Sequence, residues 1–229
     1  MKQGKRRSVF YFWIVAPVLV IIAVGLVLLT AQRGLFDKYA AKVPSFTEAV
    51  YDPEAKIGSY HGEVVAVPNL SMEDPKTPPV LGVSTGERWI EIDLSEQKIR
   101  AWEGSTLFLE SLVSTGLPWW PTPQGEFRIW TKVRATKMEG GSGRYYYYLP
   151  NVPYVMFFEN DKVPGWRGFG LHGTYWHNDF GTVRSHGCVN LPTPVAEKLY
   201  YWSSPNLPSG KSSVMADAGN VGTRIVIHE

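Results

Sequence analysis

The chain has 229 residues, 44% of them hydrophobic, with a formal charge of +2 and one cysteine. That length holds one catalytic-sized core with segments to spare, and the near-neutral balance gives no support for nucleic-acid binding. A lone cysteine excludes an internal disulfide framework.

Met1 to Arg7 carries Lys2, Lys5, Arg6 and Arg7 and no acid, and Ser8 to Leu29 carries no charge at all. As a helix those roughly twenty residues span about 30 Å, the thickness of a bilayer core. Phe10, Tyr11, Phe12 and Trp13 cluster at the basic end, as aromatic residues do at a membrane interface. The expectation is a cytoplasmic basic tail (residues 1–7), a transmembrane helix (8–29) and an extracytoplasmic remainder. A cleaved signal peptide is the rival reading. The apolar run is longer than an ordinary signal core, and Leu29-Thr30-Ala31 is a poor small-x-small cleavage site.

Residues 30–86 read as an extracytoplasmic linker. Arg33 to Tyr51 has weak helical spacing, and Pro68 to Pro79 carries four prolines and reads as an extended spacer. Val64-Val65-Ala66-Val67 is open to a second reading, as a short strand docked on the following domain.

From Glu87 the pattern turns β-rich. Trp89 to Asp93 and Lys98 to Trp102 alternate apolar with polar, and Thr106 to Ser114 follows with Leu107, Leu109 and Leu112 expected to be buried. Glu126 to Val133 predicts another strand. Arg134 to Gly143 loses apolar periodicity and reads as a mobile loop, while Tyr145 to Tyr148 reads either as a two-faced strand or as a groove lining. Val152 to Phe158 is strand-like, and Gly168 to Leu171 delivers His172. Pro192 and Pro194 flank a helix start, with Val195, Leu199 and Trp202 at helical spacing. Lys211 to Gly222 reads as loop, and Arg224 to Ile227 as a closing strand.

Gly170 to Leu191 holds Cys188 and three of the five histidines, His172, His177 and His186. A nucleophilic thiol needs a base to ionise it and dipoles to stabilise the anion that follows attack. Gly187 removes bulk beside the sulfur, so a carbonyl has room to approach the backbone N–H groups. Two other readings compete: a buried structural cysteine, and a zinc site, whose compact ligand spacings this segment does not match. His177 reads as a satisfied structural residue.

Ser185-His186-Gly187-Cys188-Val189-Asn190, with His172-Gly173 upstream, resembles the signature of the L,D-transpeptidase (YkuD-like) catalytic domain. Thr122-Pro123-Gln124-Gly125-Glu126-Phe127 is similar to that family's Thr-Pro-x-Gly-x-aromatic segment. The resemblance spans residues 87–229, with its recognisable part from Glu87 to Ile227. It implies a mainly β fold with one or two short helices, an L,D-transpeptidase-like β-sandwich or open barrel, preceded here by the transmembrane helix.

The resemblance further implies a cell-wall enzyme acting on peptidoglycan stem peptides as donor and acceptor. Cys188 would attack the carbonyl of the stem's third residue, release D-alanine and hold a thioester, which an acceptor amine would resolve into a three-to-three cross-link. His172 would carry the proton, with the Gly173 carbonyl orienting its ring. Backbone N–H groups of His186, Gly187 and Cys188 would form the oxyanion pocket, with Ser185 and Asn190 as supporting hydrogen-bonders. No cofactor or metal is implied. Two alternatives stay open: a carboxypeptidase or endopeptidase using water as acceptor, and a non-catalytic wall-binding module.

Overall fold

A computed structural model describes residues 50–70 and 86–229 of the chain. The tail and apolar span of residues 1–29 lie outside the described residues. So do most of the helix expected over 33–51, whose last two residues, Val50 and Tyr51, are not helical, and most of the spacer from 68 to 79. Contacts divide the chain into units 1–44 and 45–229, and everything below concerns the second. Among the described residues no helix is long and apolar enough to cross a membrane.

The strands are β1 (Ile57–Tyr60), β2 (Glu63–Ala66), β3 (Arg88–Asp93), β4 (Lys98–Glu103), β5 (Thr106–Leu112), β6 (Gly125–Gly140), β7 (Tyr147–Glu159), β8 (Gly170–Thr174), β9 (Val189–Pro192), β10 (Ser213–Met215) and β11 (Arg224–His228). Among the described residues one α-helix, α1 (Thr193–Trp202), follows β9. All the strands belong to one sheet ordered β2-β1-β7-β6-β11-β3-β4-β5, with β10 on β6 and the β8–β9 pair reached through β7.

The β3–β4–β5 meander follows the expected alternation on its inner strands. Ile90, Ile92, Ile99 and Ala101 are fully buried. Asp93 closes the first turn by accepting the Glu96 N–H at 2.8 Å and the Ser95 hydroxyl at 2.7 Å. The expected burial on β5 does not hold for Leu107 and Leu112, which are 46% and 45% exposed. This strand ends the sheet, and a register shift between Ala101 and Trp102 turns Phe108 inward to stack on Trp202 at 5.0 Å.

β6 and β7 are the spine. Met156 and Phe158 face the larger apolar cluster, while Val155 and Phe157 face a second one with Val133, Leu149 and Val152. Burial on both faces hides the alternation of Arg134 to Thr136, and pairing with β7 carries the strand on through exposed Lys137 and Glu139 to Gly140, so the stretch is strand, not loop. The stretch expected as loop after Lys211 likewise contains β10, which pairs with β6 through Ser213↔Val133.

Helix α1 begins with proline in its first turn and buries Ala196, Leu199, Tyr200 and Trp202 against β7, β8 and β9. Full burial of Leu199 alone contributes about 1.5–3 kcal/mol. Buried Lys132 on β6 caps the helix C-terminus, its amine donating to the carbonyls of Tyr200 and Ser203. Burial pushes that amine down to about 7.

The docked reading of residues 64–67 holds. Strand β1 pairs antiparallel with β7 through Ser59↔Tyr148 and Tyr60↔Tyr147, and β2 pairs with β1. The Asn151 side chain grips this segment upstream, accepting the Asp52 N–H at 2.8 Å and donating to the Asp52 carbonyl at 2.7 Å. Part of the stretch read as linker is thus an added edge of the domain's sheet.

Candidate active site

The site is built on the parallel pair β8–β9, whose register matches Leu171 with Val189 and His172 with Asn190. Leu171, Val189 and Leu191 are fully buried in the larger cluster. Side chains alternate along a strand, so His172 and Asn190 point to the opposite face, together with Cys188 immediately before β9. Two segments sixteen residues apart in sequence are thereby brought side by side.

His172 is 2% exposed, and its Nδ1 lies 3.0 Å from the Gly173 carbonyl oxygen. A carbonyl only accepts, so Nδ1 carries the ring proton and the lone pair is on Nε2. The expected orienting role of Gly173 is met by this bond. Burial pushes the His172 pKa down to about 4, with the Gly173 bond opposing and His177 adding to the fall. The ring is neutral at pH 7.

Cys188 is half-buried. Its Sγ lies 3.6 Å from the Gly168 carbonyl oxygen. Burial pushes the thiol up to about 11, against a smaller pull from the Gly170 backbone N–H. A protonated thiol and a neutral imidazole on one strand face suit proton transfer coupled to attack, in place of a standing ion pair.

The turn before the sulfur is held from inside. The Ser185 hydroxyl donates to the Cys188 carbonyl at 2.5 Å and accepts the Gly187 N–H at 3.0 Å. The Gly187 N–H is therefore spent within the turn, and of the three donors expected for an oxyanion it is the one turned inward. The Gly187 carbonyl accepts the hydroxyl of Thr122, which also accepts the Gly116 N–H; both distances are 2.9 Å. Thr122 is a site residue that sequence reasoning did not assign, although the Thr-Pro-x-Gly segment pointed at it. The absence of a side chain at Gly187 has another cause than substrate access: φ is +113° there, and a Cβ would stand 2.4 Å from the Phe169 ring.

Asn190 is 2% exposed, and its Nδ2 lies 2.8 Å from His177 Nε2. The Asp179 N–H approaches His177 Nδ1 at 3.3 Å. A neutral imidazole has one accepting nitrogen, here Nδ1 facing the Asp179 N–H, and burial, the largest cause, holds the His177 pKa down near 4. His177 is the satisfied structural residue expected, tied to the wall that bears Asn190.

Aromatic rings form the rim. His186 packs against Trp120 at 4.0 Å and Tyr147 at 5.1 Å, while Tyr145 packs against Trp119 and Trp120. Tyr146 instead hydrogen-bonds exposed Glu139, and Tyr148 is 36% exposed. The run is not one strand: Tyr145 ends a short 3₁₀ turn, Gly143–Tyr145, and β7 begins at Tyr147; Tyr145 and Tyr147 pack among the rim rings, while Tyr146 and Tyr148 are exposed.

A family model described as the L,D-transpeptidase catalytic domain matches residues 87–227. The chain belongs to this family. Among solved structures similar to this L,D-transpeptidase domain, an Enterococcus faecium L,D-transpeptidase mutant is 26% identical, with 62% of this chain and 50% of that one covered and a TM-score of 0.47. An L,D-transpeptidase from Mycobacterium smegmatis is 22% identical, covering 62% and 59% of the two chains with a TM-score of 0.49. The isolated catalytic domain of an E. faecium L,D-transpeptidase is 24% identical, covering 62% and 97%, with a TM-score of 0.44. The chain spans about half the length of the first two solved relatives, 49% and 50%. No curated protein matches it. The β1–β2 hairpin, which pairs with β7, lies before the family's matched residues.

Proposed function

We propose that the protein is a membrane-anchored peptidoglycan L,D-transpeptidase. The Cys188 thiol gives its proton to His172 Nε2 as sulfur attacks the carbonyl carbon of the stem's third residue. The tetrahedral oxyanion is stabilised by backbone N–H groups of the turn, those of His186 and Cys188 being the candidates once Gly187 is discounted. The C–N bond to D-alanine breaks, and the His172 proton leaves with the amine. An acceptor amine then attacks the thioester carbonyl and gives its proton to His172. The sulfur leaves, is reprotonated from the imidazolium, and a new amide remains.

What carries this reading is the Nδ1 bond of His172 to Gly173, which leaves a basic nitrogen on the strand face that also bears Cys188. The uncharged span of residues 8–29 supports a single-pass anchor with the catalytic domain outside, where mature wall is found.

The test is mass spectrometry of tetrapeptide stems incubated with the protein and with Cys188→Ala. Cross-linked dimer from the wild type is expected, with under a few per cent from the variant. Trimmed monomer would make water the acceptor, and unchanged substrate would leave a binding module. Dimer formation by Cys188→Ala would end the cysteine mechanism.

A further inference from the structure

Two polar atoms beside the nucleophile have no partner. The Nε2 atoms of His61 and His186 are both buried without a hydrogen bond. Stranding a buried imidazole nitrogen is costly, and the surroundings are aromatic, so the cost is not relieved by the walls. His61 sits at the tip of the β1–β2 hairpin, stacked on Tyr60 at 4.0 Å, edge-on to Tyr145 at 5.6 Å and 6.2 Å from the His186 ring. His186 in turn is two residues from Cys188.

The hairpin tip bridges both walls of the site. Tyr60 faces the histidine wall, with ring centroids 5.9 Å from His177 and 6.1 Å from Trp176, itself 5.6 Å from His172. Its hydroxyl donates to the Arg184 carbonyl at 3.1 Å, and the His61 N–H donates to the Tyr146 carbonyl at 3.1 Å. Both bonds tie the tip to the domain and neither uses the His61 ring. On the other side, a Cβ on Gly141, where φ is +70°, would stand 2.1 Å from the Tyr145 carbonyl oxygen and 3.1 Å from His186 Nε2, so a side chain there would crowd that nitrogen as well as the backbone.

We propose that His61 and His186 form a subsite for a carboxylate of the peptide substrate, walled by the β1–β2 hairpin. This deepens the transpeptidase reading and rests on it. A neutral imidazole with its proton on Nε2 donates one hydrogen bond, and a carboxylate has two oxygens to receive two such donors. The charges nearby suit an anion. Arg184 is the charged side chain acting on His61 and is itself paired with Asp179 at 2.6 Å; Arg144 lies over Tyr145 at 4.8 Å. The other titratable neighbours are Tyr60, Tyr145, Tyr147, His177 and the Cys188 thiol. Among the described residues the histidine paired with a carboxylate is His228, with Glu91, far along the chain. Nor do His61 and His186 belong to a group of three or more metal-ligating side chains there. A donor stem offers two carboxylates of this chemistry, at its C-terminus and on the side chain of a diamino acid.

The experiment compares the full-length wild type and His61→Phe, which keeps an aromatic ring on Tyr60 but has no nitrogen, on free tetrapeptide and on peptides amidated at one carboxylate or the other. For the wild type, amidating the recognised carboxylate raises KM about tenfold, the size expected of a lost charge-assisted pair. His61→Phe shows the same rise on free peptide with kcat within about twofold, and no further rise on that amide. The amide that erases the difference identifies the carboxylate. His61→Gln, which restores an N–H near the Nε2 position, recovers part of the loss and controls for folding. Equal KM for wild type and His61→Phe on every peptide overturns the subsite while leaving the transpeptidase reading intact. If no peptide turns over, binding of the free tetrapeptide to Cys188→Ala decides. Upward shifts in the imidazole titrations of His61 and His186, read by nitrogen NMR, uphold the subsite, and unchanged titrations refute it.

Discussion

At the scale of single residues the site is organised by which proton sits where. In the proposed mechanism His172 is the base: Gly173 holds its other nitrogen, and burial keeps its pKa near 4, so the ring is neutral. A general base contributes about 10²–10⁴-fold, so His172→Ala should lose that much in acylation rate. The pH profile makes the sharper test. The base is lost only as its ring protonates, so the acid limb of kcat/KM should fall near pH 4, well below the 6.5 of a free imidazole. A limb at 6.5 would mean that the ring is solvated and that burial does not set its proton affinity. Much of this was legible in the order His172, Ser185, His186, Gly187, Cys188. The inward turn of the Gly187 N–H was not, because Ser185 takes it through a side-chain bond that no spacing shows.

At the scale of elements, α1 illustrates how a buried charge-bearing group secures a helix end. Lys132 reaches from β6 to two C-terminal carbonyls that the helix cannot satisfy itself. Lys132→Met removes the donor to both, and each buried acceptor that loses its donor costs about 1–3 kcal/mol, so a loss of about 2–6 kcal/mol in urea unfolding at pH 7 is expected. The pH sign is fixed as well. With a folded pKa near 7 and an unfolded one near 10.5, the folded protein binds fewer protons between those values, so wild-type stability rises with pH there and the gap to Lys132→Met widens. No destabilisation would show that desolvating the amine costs as much as its bonds return. Proline and apolar spacing announced the helix. Lys132 looked like any strand lysine, since only the end of α1, with the Tyr200 ring and the carbonyls of Tyr200 and Ser203, meets its amine out of water.

At the scale of the whole molecule the question is where the domain works. Lys2, Lys5, Arg6 and Arg7 precede the uncharged span, while Arg33 stands alone beyond it before Asp37 and Lys38. That asymmetry favours an N-terminus in the cytoplasm and the remainder outside. The protein should therefore stay with the membrane fraction after a high-salt wash, which strips peripheral proteins but not inserted helices, and should keep its N-terminus. Recovery of a soluble product beginning near Gln32 would identify the span as a cleaved signal. Transpeptidase activity would be unaffected by that result, but the anchoring would be lost.

The amino-acid sequence by itself determined the family, the alternating strands from Arg88 to Glu103 and the helix after Pro192. Each of these is local, written in the period of apolar residues or in a short motif whose chemistry needs those residue types. Tertiary structure decided the rest. It made Arg134 to Gly140 a strand by pairing it with β7, with both faces covered as far as Thr136, where alternation carries no signal. It exposed Leu107 and Leu112, because β5 ended the sheet. It also brought His61 from a stretch that read as linker to within 6.2 Å of His186, more than a hundred residues away. Contacts of that kind depend on which edge of a sheet accepts another strand, and no window of sequence contains both partners.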